Sequence, residues 1–165
     1  MGTRLSTRPS EPGSLDLIVE RSPGADRWAY FLRDETLHGL YSHLESHPPE
    51  RGEEPLFHEM SHGEAFLALL GRRATSRGLY LLDEPDAALS FTGTLSLVVQ
   101  LAGLVDGGAQ VVIATHSPVL AALPGATLLE VGDWGLREAE WADLELTASW
   151  RQFLTDPRSF LRHLT

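Results

Sequence analysis

The sequence predicts an α/β fold around a mostly parallel sheet, on three observations. Residues 78–82 (GLYLL) and 110–115 (QVVIAT) are short apolar runs of the kind found in strands buried on both faces. Between them, residues 92–105 carry a helical pattern that stops at Gly107-Gly108. Ahead of them, Ser61 opens another helix, with serine at the cap and glutamate three positions on. Strands alternating with helices, without an internal repeat, describe one layered α/β domain.

Taken in order, residues 1–14 are rich in Ser, Thr, Pro and Gly and read as a disordered tail, so the domain is expected over 15–165. Leu17 and Val19 alternate with Asp16 and Glu20 in a strand pattern over 15–21. Ser22-Pro23-Gly24 is a turn signal, residues 28–33 read as a second strand, and the two could pair as a hairpin. Leu37, Leu40, Tyr41 and Leu44 have helical spacing over 35–44, and a polar loop with two prolines follows at 45–55. The helix from Ser61 takes its apolar stripe from Ala65, Phe66, Leu69 and Leu70. Ser117-Pro118 sets serine at a cap and proline at a first helical position. Residues 127–131 and 136–139 flank Gly132-Asp133-Trp134-Gly135, a hairpin signal. Two short helices are expected near 143–153 and 157–164, the second started by Asp156-Pro157.

Composition narrows the function classes. An apolar fraction of 42% and a charged fraction of 22% are those of an ordinary soluble domain. No apolar run reaches the length of a membrane span and no secretory segment opens the chain, so a cytoplasmic setting without membrane insertion is expected. With no cysteine, disulfides, thiolate metal sites and cysteine nucleophiles are excluded. A formal charge of −10 gives no indication of a nucleic-acid face, and Arg72, Arg73 and Arg77 read as a solvated helix end. All 13 basic residues are arginine.

Three places carry chemistry. Asp83 and Glu84 end the first apolar run, where carboxylates can project into the crevice beyond the C-terminal ends of sheet strands. One carboxylate there can hold Mg²⁺ and its neighbour can polarise a water, although the same pair also describes a solvated turn. Thr115-His116-Ser117 ends the second run and sets His116 at the same sheet edge, able to donate to a phosphate oxygen or to help cap the next helix. The helix start at Ser61 offers unpaired N–H groups and a positive dipole end, and Gly63 leaves room for an anion to approach the backbone. A capping box alone accounts for Ser61 and Glu64.

Together these segments resemble the ATP-binding-cassette (ABC) type of P-loop ATPase. Met60-Ser61-His62-Gly63-Glu64 is similar to the family's signature motif, and residues 79–85 (LYLLDEP) to its Walker B strand. Residues 86–90 (DAALS) resemble the D-loop, with Ser90 where aspartate is frequent, and residues 114–118 (ATHSP) the switch-histidine loop. The likeness runs over about residues 15–165 and is nearest to stand-alone bacterial "AAA family ATPase" proteins, including the tail from Ser149-Trp150 to Phe160-Leu161-Arg162-His163-Leu164. It implies a three-layer P-loop fold, ATP and Mg²⁺ as cofactors, Asp83 as the Mg²⁺ residue, Glu84 as general base and His116 on the γ-phosphate. It also implies that Ser61, Gly63 and Glu64 form the signature site facing a nucleotide on another subunit. Either a homodimer or a complementary ATPase subunit is the expected partner.

Two elements of the family are missing, the phosphate loop and the glutamine loop that should follow it. The lysine-bearing loop G-x-x-x-x-G-K-[ST] occurs nowhere in the 165 residues, which contain no lysine. The resemblance places the strand leading into that loop beside residues 110–115, which would otherwise present an unpaired apolar edge. A truncated ATPase is therefore expected, nearly inactive alone. The alternative is a non-hydrolysing interaction subunit that lends its signature motif to a complete ATPase.

Overall fold

The computed structural model describes residues 29–33, 60–74 and 77–162. The expectations for the tail 1–14, the strand 15–21 and its hairpin, the helix 35–44 and the loop 45–55 lie outside the described residues. In chain order, the described part contains strand β1 (Ala29–Arg33), helix α1 (His62–Arg73), β2 (Leu79–Asp83), α2 (Phe91–Asp106) and β3 (Gln110–Ala114). A 3₁₀ turn (Leu120–Ala122), the hairpin β4 (Leu129–Gly132) and β5 (Gly135–Glu138), and helices α3 (Glu145–Thr155) and α4 (Pro157–Leu161) follow.

The main sheet is parallel, in the order β1-β2-β3, with Tyr30, Tyr80 and Val111 in one register row and Phe31, Leu81 and Val112 in the next. Successive side chains alternate between faces. One face carries the core, where Leu82 packs with Ala65, Phe66, Leu69 and Leu70 of α1, Leu97 and Leu101 of α2, and Leu120. The opposite face holds the Phe31–Leu81–Val112 row, with Phe31 62% and Val112 50% exposed. The α/β class with a parallel sheet is thus what the sequence predicted, consistent with part of a P-loop fold. Two of the three expected layers lie among the described residues. Both apolar runs were expected to be buried on two faces. Instead, β2 is fully buried at Tyr80 and Leu82 only, and β3 exposes Gln110, Val112 and Ala114. The physical reason is that the described helices cover a single face and β3 is the last strand of the sheet among the described residues.

Local signals set the helix ends. The Ser61 hydroxyl accepts from the Glu64 N–H at 3.3 Å, while the Ser61 N–H donates to Glu64 Oε2 at 2.9 Å, so the capping box forms in full. Ser90 caps α2 by accepting from the Gly93 N–H at 3.2 Å, which gives this serine a definite structural role. Ser117 accepts from Leu120 N–H at 3.4 Å, and the short helix it was expected to open is one 3₁₀ turn starting two residues later than Pro118. Leu144 offers no side-chain cap to α3. Glu130 of β4 supplies it from outside, accepting the Glu145 N–H at 2.7 Å while Arg137 of β5 donates to the same carboxylate. The Glu145 amide and then Arg137 hold the Glu130 carboxyl below its usual range. No described helix is long and apolar enough to cross a membrane.

Ser61→Ala is expected to lower stability by about 1 kcal/mol, as loss of an N-cap hydroxyl does, with thermal denaturation as the measurement. The Ser61 hydroxyl and N–H also hold the Glu64 carboxyl below its usual range. A depressed carboxyl contributes stability above its unfolded value and loses it as pH falls through the folded one. The mutational cost should therefore shrink in acid.

Candidate functional site

The backbone sets two carboxylates at the C-terminal end of β2. Asp83 is the last residue of β2 and Glu84 the first beyond it. Glu84 has φ +47°, the left-handed region that a non-glycine residue enters at a cost of about 1–2 kcal/mol. Two hydrogen bonds hold it there: its N–H donates to Ala114 O at 2.9 Å, and its carbonyl accepts from Ala87 N–H at 3.1 Å. The strained backbone swings the Glu84 side chain toward the end of β3, where His116 stands. Glu84 Oε1 lies 3.5 Å from His116 Nε2, and Oε2 accepts a long hydrogen bond of 3.4 Å from the His116 N–H.

The His116 side chain is 92% exposed and that of Glu84 39%. A pair so open to water contributes little to stability. Its value lies in setting an acceptor and a donor side by side at the sheet edge, where a ligand can reach both. Asp83 shares this edge, half-buried in register with Arg33 and Ala114.

A second contact line, which the sequence reading missed, braces this pair. Thr115 Oγ1 donates to Asp86 Oδ1 at 2.8 Å and accepts from the Ser117 N–H at 3.0 Å. Asp86 in turn accepts from Leu89 N–H through its carbonyl, at 2.9 Å. The hydroxyl thus ties the loop after β2 to the loop after β3, on either side of Glu84 and His116. A threonine ending a β-branched run and an aspartate after a proline each have ordinary readings, so only their meeting across 29 residues gives them a role.

Ser61, Gly63 and Glu64 stand apart, at the start of α1. No described hydrogen bond or ion pair joins them directly to Glu84 or His116. Their link runs through the loop at 86–89, because a Cβ on Gly63 would lie 2.9 Å from Ala88 O and 3.0 Å from Leu89 Cδ2. Gly63 is therefore required by the packing of α1 on this loop, a reason beyond the anion access its position suggests. Gly63→Ala should push the two apart at a cost of about 1–3 kcal/mol, reduced by alanine's better helix propensity, about 1 kcal/mol. Urea denaturation reads the net loss. The Ser61 hydroxyl also donates to Glu64 Oε2 at 2.7 Å, so an anion binding at this helix end must displace a carboxylate already there.

Among the described residues, no group of three or more His, Cys, Asp or Glu side chains is placed to hold a metal ion. The oxygen donors at the end of β2 suit a hard divalent cation that keeps water and phosphate oxygens as its other ligands, as Mg²⁺ does.

A parallel sheet, an acidic strand end and a histidine after the adjacent strand meet at one edge. A family model described as "AAA domain, putative AbiEii toxin, Type IV TA system" matches residues 64–122, from the first turn of α1 to the 3₁₀ turn after β3. The UvrABC system protein A of Thermus thermophilus is 48% identical over 48 residues, 29% of this chain and 5% of that protein. That of Streptomyces avermitilis is 46% identical over a stretch of the same length, again 5% of the relative. The Paracoccus denitrificans protein of that name is 46% identical over 48 residues, 44% of its length. The chain thus spans less than half of each of these relatives. No solved structure matches it. These likenesses support a P-loop ATPase relationship of ABC type for the central part of the chain.

Proposed function

We propose that this chain provides the hydrolytic half of an ABC-type ATPase site, working in the cytoplasm on ATP with Mg²⁺. The observation that carries the reading is the meeting of Glu84 and His116 at the ends of neighbouring parallel strands, 3.5 Å apart. Asp83 would offer one carboxylate oxygen to Mg²⁺, which together with ATP supplies charge neutralisation and the phosphoryl group. Glu84 accepts a proton from the attacking water. His116 donates to an oxygen of the terminal phosphate and, through Glu84, is kept beside the water. Ser61 and Gly63 serve a nucleotide held by another subunit, in a homodimer or with a complementary ATPase, and Glu64 orients Ser61. The matches to UvrABC system protein A and to the AAA domain support the class of chemistry and leave the process it drives to the partner.

The lysine-bearing loop that cradles the β- and γ-phosphates comes from outside these 165 residues. Isothermal titration calorimetry of the purified chain with Mg-ATP should therefore give no saturable binding. Micromolar affinity would overturn the requirement for an external phosphate loop.

A further inference from the structure

We propose that Trp141 is a positioning residue for His116, and that through its indole the β4–β5 hairpin and α3 hold the histidine loop in place. This rests on reading His116 as the contact to the terminal phosphate.

Beyond Ala114 the chain leaves the ladder of β3, and a segment without ladder bonds opens easily unless other contacts hold it. His116 does not hold itself. Its side chain is exposed, and its contacts with Glu84 are long, at 3.4 and 3.5 Å. On the upstream side Thr115 is tied to Asp86. On the downstream side stands Pro118, which has no N–H and can tie its backbone down only through the carbonyl. That carbonyl accepts from the Trp141 indole N–H at 2.8 Å, across 23 residues of chain.

Trp141 stands on a firm base. The segment that carries it is pinned at both ends beside β4: the Ala139 N–H donates to Leu128 O at 3.1 Å, and the Glu145 N–H to Glu130 Oε1 at 2.7 Å. Between the pins, the Asp143 N–H donates to Glu140 O at 2.9 Å and closes the 3₁₀ turn Trp141–Asp143. The Glu130 carboxylate of the second pin accepts in turn from Arg137 Nε at 2.9 Å, and the Arg137 guanidinium lies 4.2 Å from the centre of the Trp134 ring. Leu144 and Thr147, at the start of α3, are buried. An indole on such a base has two torsions to lose and one donor, fixed in the plane of the ring. It can keep a carbonyl in place where a longer, more flexible side chain would let it drift. His116 therefore sits between two ties, one to the loop after β2 and one to the C-terminal hairpin and helix.

A contact that only stabilises the fold could join the same two residues, but the two roles act on different quantities. A stabilising contact changes how often the chain opens, whereas a positioning contact changes how the histidine loop moves while the chain is folded.

The test is Trp141→Phe in the full chain, which keeps an aromatic ring and removes the N–H. Trp150→Phe is the control, because Trp150 packs on Phe153 and its indole has no described acceptor. NMR relaxation reads amide order parameters, about 0.85 for rigid backbone and below about 0.6 for flexible backbone. The His116 and Ser117 amides should be rigid in the unsubstituted chain and in Trp150→Phe, and should drop toward about 0.6 in Trp141→Phe, with Leu97 and Leu101 of α2 unchanged. Values at His116 and Ser117 that do not change in Trp141→Phe, or that fall together with those of Leu97 and Leu101, overturn the proposal. If Trp141→Phe does not fold, the unsubstituted chain still answers. Its Trp141 indole N–H should exchange with solvent about fivefold or more slower than that of Trp150, the worth of one net hydrogen bond, and equal rates overturn the proposal. In an assembly that turns over ATP, Trp141→Phe should lower kcat by about tenfold to a hundredfold, as a misplaced group does, and leave KM near its original value. Loosening of His116 with kcat unchanged leaves the positioning contact standing and refutes the role of His116 on the phosphate.

Discussion

Glu84→Gln is expected to cut ATP turnover by about a hundredfold to ten-thousandfold in an assembly supplied with the phosphate loop, with nucleotide still bound. The substitution keeps the side chain's length and one acceptor oxygen, so the contacts with His116 and its N–H can persist. It also leaves the φ of +47° as it is, because glutamine meets the same left-handed backbone penalty. What it removes is the ability to accept a proton from water. Single-turnover hydrolysis alongside retention of labelled nucleotide separates the outcomes. Unchanged turnover would remove Glu84 from the role of base. Loss of binding together with turnover would move it to holding the nucleotide.

Leu97→Ala is the largest stability change expected, about 2–5 kcal/mol. Leu97 has no exposed surface and lies in the cluster of α1, α2, β2 and Leu120 side chains that forms the core. Small domains hold only about 5–15 kcal/mol in all, so this loss alone can leave much of the chain unfolded. Val99, two residues along the same helix, is 72% exposed. Val99→Ala should stay within about 0.5 kcal/mol. A urea denaturation series on the two variants reads the contrast, and equal losses would mean that α2 buries a different face from the one described.

Much of the local structure was legible from sequence because local signals set it. The capping box at Ser61, the stop at Gly107 and the hairpin turn at Asp133-Trp134 depend on residues within four positions of one another. The two apolar runs marked β2 and β3, and β1 falls within residues 28–33 as expected. Burial was less legible. An apolar run shows that a strand can be buried on both faces, and only the layers around it decide whether it is, as the exposure of Val112 demonstrates. Motif order placed Asp83, Glu84 and His116 at strand ends, and that is where they lie. Thr115 and Asp86 were not assigned a role, because their contact is made by two loops meeting across the sheet.

By itself, then, the sequence determined the alternation of strands and helices, the caps, the acidic end of β2, the histidine after β3 and the absence of a lysine loop. Each of these is a property of residue type and short-range spacing. Tertiary structure alone decided that β1 lies parallel to β2, that Glu84 takes a left-handed backbone and reaches His116, and that Gly63 gives way to Ala88 and Leu89. Among the described residues it also left β3 as the sheet's last strand, with an apolar row beside it. The physical reason is that pairing partners, packed backbones and strained dihedrals arise from contacts between segments far apart in the chain. Their free energy belongs to the pair, and neither segment carries it alone.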